Sequence, residues 1–166
     1  MSEYKKVKEW HDVFDPVDHK GPHALDEEQS FYRSSFMVEE IMEYLSASRD
    51  EEALLHSAQC LKEAIDQSVE KIINKNKKQE AVVDQADALI DLLYFVYGTF
   101  VKMEVNPEKI FSIVHEANMA KKFPDGKPHY DKITGKVLKP EGWEENFAPE
   151  EKIKKEIQDQ REKFDG

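Results

Sequence analysis

The stretch ALIDLLYFVYGTFV, residues 88–101, decides how this chain is read. Wound at about 3.6 residues per turn it is apolar nearly all round, so it predicts a central helix rather than an amphipathic surface one. Yet a carboxylate, Asp91, lies inside it, and Asp84 and Asp87 stand just upstream. At about 100° per residue the three fall at roughly 0°, −60° and −20°, one narrow face. An unpaired buried carboxylate is costly, and aspartate is a poor helix former. No lysine or arginine stands between Lys78 and Lys102, so nothing along that helix neutralises them.

A second acidic face lies upstream, in FMVEEIMEYL, residues 36–45. Glu39, Glu43 and Glu40 fall at about 0°, 40° and 100° on the helical wheel, one arc beside an apolar stripe of Phe31, Val38, Met42 and Leu45. Alone, such a cluster reads as a solvated face. Two acidic faces on two packed helices can instead share divalent cations. Hard oxygen ligands in a helical bundle suit Mg²⁺ or Mn²⁺, and the carboxylates would repel one another without the ion.

Five of the six glycines (Gly21, Gly126, Gly135, Gly142, Gly166) fall at connections or the terminus, and Pro107 is the one proline from 26 to 121. That block therefore accommodates long helices, and no strand alternation of useful length interrupts it. The first is expected from Asp26, a good N-cap with Glu27 and Glu28 in its first turn, to about residue 47. The second starts near Asp50 and ends in the polar run NKNKK, 74–78; Leu54, Leu61, Ile65, Val69 and Ile72 make it amphipathic. The third spans about 79–103. The fourth opens on Pro107, capped by Asn106, and runs through Ile110, Ile113 and Val114 to about 121. Beyond Lys122 the chain is rich in turn residues, with a short hairpin expected around ITGK, 133–136. The final piece is a charged helix anchored by Ile153, Ile157 and Phe164, expected to be peripheral or to pack on a neighbouring subunit.

Composition excludes several classes. Asp and Glu total 35 against 24 Lys and Arg, a net charge of −11, which suits no nucleic-acid polymer. The single Cys60 permits no internal disulfide and agrees with a reducing cytoplasm. No apolar run reaches the roughly 20 residues that span a bilayer, and the N-terminus lacks the apolar segment of a signal peptide, so no membrane partner is expected. A small anionic substrate remains, with metal ions to hold its phosphates. Lysines that could carry the remaining charge follow the fourth helix: Lys121, Lys122, Lys127, Lys132, Lys136 and Lys139. Asn118, one turn before Lys121, could read a base or orient a phosphate.

Taken together, these elements resemble the MazG-like, all-α nucleoside triphosphate pyrophosphohydrolases, which include phosphoribosyl-ATP pyrophosphohydrolase and the dimeric dUTPases. EEIME, 39–43, is similar to the superfamily's Glu-Glu-x-x-Glu, and DALIDLLYFVYGTF, 87–100, to its second acidic helix. VKEWHDVF (7–14), HEANMAK (115–121) and GKVLK (135–139) resemble elements of a bacterial phosphoribosyl-ATP pyrophosphohydrolase-like subgroup. One departure stands out: three residues before Asp91 comes Ala88, not glutamate. The pattern can be drawn as Asp84 with Asp87 or as Asp87 with Asp91; we favour the latter, because the apolar LLY follows Asp91 directly.

The resemblance implies a four-helix-bundle core with a C-terminal loop region and terminal helix, residues 1–149 forming the domain and 150–166 a charged helical tail. It implies hydrolysis between the α- and β-phosphates of a nucleoside triphosphate, giving the monophosphate and pyrophosphate. Glu40, Glu43, Asp87 and Asp91 would hold Mg²⁺, with Mn²⁺ as a substitute. Glu39 or Glu40 would position or deprotonate the attacking water. Lys121, Lys136 and Lys139 would neutralise the outer phosphates, and Asn118 would contact base or sugar. His11, Trp10 and Phe14 could line a base pocket, whereas Tyr94 and Tyr97 read as core. A homodimer or homotetramer is expected. Two other readings stay open: a metal-binding regulatory module without turnover, suggested by Ala88, and a plain helical interaction protein.

Overall fold

The computed structural model describes residues 1–17, 21–47, 49–74 and 79–163. Among these residues it is helical apart from turns and one isolated antiparallel bridge, Tyr130 to Val137. The helices are α1 (Glu3–Phe14), α2 (Glu27–Ser46), α3 (Glu51–Ile73), α4 (Ala81–Lys102), α5 (Pro107–Met119), α6 (Trp143–Phe147) and α7 (Glu150–Glu162). The four long helices expected between 26 and 121 are therefore present as α2 to α5. The run 75–78 and the expected anchor Phe164 lie outside the described residues.

Local chemistry sets the starts. Asp26 accepts from the Gln29 amide at 2.8 Å, Asp50 from Ala53 at 2.9 Å and Asn106 from Glu108 at 2.9 Å, with Pro107 opening α5. Each such cap contributes about 1 kcal/mol. Helix α1 was not anticipated. It is stitched by Lys8–Asp12 at 2.7 Å and by Trp10 stacked on Phe14, ring centroids 5.2 Å apart, both pairs four residues apart on one face.

The chain divides into two units. The first comprises Met1–His19 and Leu92–Gly166. Here α1 and α7 each pack on α5. Lys6 donates to Ser112 Oγ at 2.6 Å, and Glu9 faces His115 at 3.4 Å, joining α1 to α5. The deepest apolar side chains are Phe14 at 1% exposure, Ala117, and Trp143 at 5%. The hydroxyl of Tyr130 donates to the Phe14 carbonyl at 2.8 Å, tying the post-α5 loop to α1. Helix α7 was expected to be peripheral or to reach a neighbour. Within its own chain it packs on α5: Gln160 bonds the Asn106 backbone both ways at 2.9 Å, and Lys109 pairs with the buried Glu156.

The expected hairpin around ITGK is reduced to the single bridge. Asp131 accepts from the amides of Ile133 and Thr134 and from the Thr134 hydroxyl, at 3.0, 2.7 and 2.8 Å. These bonds curl the segment into a turn, with Gly135 at φ 68°, instead of extending it into strands.

The second unit is Lys20–Asp91. Helix α2 packs on α3, and Gln85 of α4 bonds the Leu25 backbone both ways at 2.9 Å. Met42, Leu45, Leu54 and Leu61 are half-buried, whereas Phe31, Val38, Ile65, Val69 and Ile72 of the expected stripes are exposed.

The main correction concerns α4. Its apolar circumference predicts a central helix, yet none of its residues is buried, with Tyr94 at 77% and Phe95 at 71% exposure. Tyr94 and Tyr97, read as core, are both exposed. An all-round apolar helix needs cover on every side, and one chain of this length does not supply it. Contiguous apolar exposure of this extent is uncommon on a chain that stands alone.

Candidate active site

Glu39, Glu40 and Glu43 stand on the middle of α2, and Asp84, Asp87 and Asp91 on the first half of α4. In a continuous helix, residues three and four apart lie with Cβ atoms about 5–6 Å from each other. Each triplet therefore shares one face, as its spacing predicts. All six are exposed. Asp84 accepts from the Gln79 amide at 3.2 Å, a capping contact beside the start of α4. Glu40, Glu43, Asp87 and Asp91 pair with no cation among the described residues.

The expected cage is not assembled by these side chains. Among the described residues, no three His, Cys, Asp or Glu groups are placed to hold one metal ion. Nor is Asp91 a buried charge that needs an ion to exist, because water reaches it. The donor set still fits a hard divalent cation: unpaired carboxylates, two per helix turn, with no thiolate or imidazole among them.

The downstream candidates belong to the first unit. Their organiser is a residue that the sequence reading passed over, Trp143. Its indole N–H donates to the Ala117 carbonyl at 3.0 Å, beside Asn118 at the end of α5. Lys139 lies 4.4 Å and Lys121 5.6 Å from its ring centroid. Lys139 also donates to Glu144 at 2.6 Å. The structure thus gathers Lys121 and Lys139 about one aromatic ring, whose N–H is fixed on the residue before Asn118. Lys136 lies in the Asp131 turn, its backbone carbonyl accepting from the Asp131 amide at 2.8 Å. The signal available in the sequence was a tryptophan directly after a glycine in a lysine-rich loop, and Gly142 adopts φ 74° to launch α6 there.

The proposed base pocket is only partly formed. His11 is engaged by Asp15, its Nδ1 3.2 Å from the carboxylate, and meets the Trp10 ring edge-on at 5.1 Å. Phe14 is core and lines no open surface. Trp10 Nε1 is buried without a hydrogen-bond partner among the described residues. A groove of about 1130 Å³ in the first unit, lined by Tyr97, Val101, Lys109 and Gln160 among others, contains none of the candidate site residues.

The sequence matches the family model for phosphoribosyl-ATP pyrophosphohydrolase over residues 7–118, from α1 to Asn118. Both acidic faces lie inside the match, and Lys121, Lys136, Lys139 and Trp143 lie beyond it. No curated protein matches the sequence. The fold is similar to the crystal structure of a "putative NTP pyrophosphohydrolase" from Exiguobacterium sp. 255-15, with TM-score 0.86, 33% identity and 98% of each chain covered. Such agreement over nearly the whole length defines an all-α hydrolase acting on phosphoric anhydride bonds. The chain belongs to the phosphoribosyl-ATP pyrophosphohydrolase family.

Proposed function

We propose that this protein is a Mg²⁺-dependent nucleoside triphosphate pyrophosphohydrolase, cleaving between the α- and β-phosphates to release a monophosphate and pyrophosphate. The observation that carries the reading is the pair of acidic helix faces, Glu40 and Glu43 on α2 and Asp87 and Asp91 on α4, left without counter-cations among the described residues of a chain of this family. Those four carboxylates are the proposed holders of the ion, with Mn²⁺ as the substitute. A bound divalent ion supplies charge neutralisation for phosphate oxygens and a lowered pKa for a bound water. Glu39 or Glu40 orients the attacking water and takes its proton. Lys121, Lys136 and Lys139 offset charge on the outer phosphates, and Asn118 contacts base or sugar. His11 contributes at the base if its bond to Asp15 opens.

The substrate we infer is dUTP or another non-standard nucleotide that a cell removes from its pool. No described helix is long and apolar enough to cross a membrane, and the lone Cys60 is exposed and free; we assign the protein to the cytoplasm. The uncovered α4 supports a homodimer or homotetramer as the working form.

Pyrophosphate release measured over a panel of ribo- and deoxynucleoside triphosphates, with and without Mg²⁺, tests this. Release that requires the metal is expected. Metal binding with no release from any nucleotide would overturn it and leave the regulatory-module reading, which Ala88 favours.

A further inference from the structure

We infer that Trp143 is a positioning residue, holding Lys121 and Lys139 as a paired cationic clamp for the outer phosphates of the substrate. The inference rests on the pyrophosphohydrolase reading and adds to it a residue outside the family match and outside every motif in the sequence. Three observations converge on one ring. Trp143 is nearly fully buried, so its orientation is set by packing. Its N–H is fixed on the Ala117 carbonyl at 3.0 Å, which registers the loop after α5 against the helix end that carries Asn118. Two ammonium groups, 22 positions or less away in sequence, then meet its π-surface at 5.6 and 4.4 Å.

Two like charges beside one another repel, and free lysine side chains spread through solvent. A tryptophan face is the aromatic surface that attracts cations best, and it does so without consuming their charge. Glu144 restrains Lys139 further, at 2.6 Å. The result is a pair of ammonium groups held at one ring, Lys139 through Glu144 as well. Lysine suits this task as a point charge on a long stem.

The test compares wild type with Trp143→Leu, Trp143→Phe, Lys139→Ala and the double variant Trp143→Leu/Lys139→Ala, each with its melting temperature. Leucine fills space without a π-face; phenylalanine keeps a π-face and loses the N–H. With a triphosphate that wild type hydrolyses, Trp143→Leu should raise KM about tenfold while kcat falls less than about threefold, the pattern of lost phosphate binding. Trp143→Phe should recover most of that KM despite a lower melting temperature. The double variant should raise KM by less than the product of the two single effects, because part of the tryptophan's effect acts through Lys139. If KM instead rises equally in Trp143→Leu and Trp143→Phe, or adds fully to Lys139→Ala, the ring is merely structural and the inference fails. If wild type hydrolyses nothing, the functional reading has failed, and the clamp is judged by calorimetric affinity for inorganic triphosphate. About fivefold weaker binding by Trp143→Leu then upholds it, and unchanged binding overturns it.

Discussion

Lys109 on α5 closes its ammonium on the carboxylate of Glu156, a side chain only 6% exposed on α7. The contact explains why a helix as charged as α7 lies on its own chain. The Lys109 hydrogen bond, followed by that of Gln160, holds the Glu156 carboxyl below its ordinary 4.5. The same bond raises Lys109 above 10.5, against the opposing effect of desolvation. A depressed carboxylate contributes stability that is present above its unfolded pKa and is lost as pH falls through the folded one. A raised lysine contributes fully below its unfolded pKa and loses that contribution as pH rises through the folded value. The pair therefore supports α5–α7 packing between these limits and fails first on the acid side. Glu156→Gln should flatten the fall in urea midpoint on acidification below about pH 4.5. Lys109→Met, which strands a buried carboxylate, should destabilise more than the double variant Lys109→Met/Glu156→Leu. A Glu156→Gln profile parallel to wild type would show that other carboxylates govern the acid limb.

The proposed metal ligands are exposed, which separates their chemistry from the fold. Glu43→Gln and Asp91→Asn should each abolish pyrophosphate release. Exposed substitutions of this kind change stability by within about 0.5 kcal/mol, so melting temperatures should move by less than about 2 °C. Chelation should silence wild type, and added Mg²⁺ should restore it. Near wild-type turnover in either variant would reassign the ligands, with Asp84 the next to test beside Asp87.

The uncovered face of α4 should be covered in solution. Phe95→Glu and Tyr94→Glu place charge on that face, where both rings are largely exposed in one chain. Light scattering should show a multiple of the monomer mass for wild type and a smaller species for these variants, with apolar dye binding raised. Wild type running as a monomer would assign the apolar face to some other partner.

Glu104 closes α4 in a left-handed conformation, φ 56°, while the Val105 amide bonds the Phe100 carbonyl at 3.1 Å. Glycine is the residue that such a helix end prefers. Relief of about 1–2 kcal/mol of left-handed strain, less the extra entropy glycine loses on folding, leaves a net gain of roughly 0.5–1 kcal/mol for Glu104→Gly. A rise in melting temperature of a few degrees checks this; a fall would mean that the glutamate side chain compensates its own strain.

Much of the helical layout was legible because its signals are local. Asp26, Asp50 and Asn106 cap within three residues of themselves, and Pro107 starts a helix wherever it finds one. Helix α1 was also legible in principle, from Trp10 and Phe14 four apart, but its charged composition hid it. The acidic faces could be read for the same reason: residues three and four apart share a side of any helix. What could not be read is exposure. The apolar run 88–101 states that α4 must be covered and is silent about what covers it.

Trp143 marks the other limit. Its bond to Ala117 spans 26 positions and its ring meets lysines from two separate segments. No local period encodes such a meeting. The sequence by itself determined which residues become helices, which face of each carries carboxylates, and to which family the chain is similar, because these follow from spacing and order. The tertiary structure alone decided that α7 clasps α5 through a buried carboxylate, that α4 stays open within one chain, and that Trp143 gathers the lysines. Those outcomes depend on which distant surfaces meet, and the free energy of such meetings lies in burial and pairing that no single segment contains.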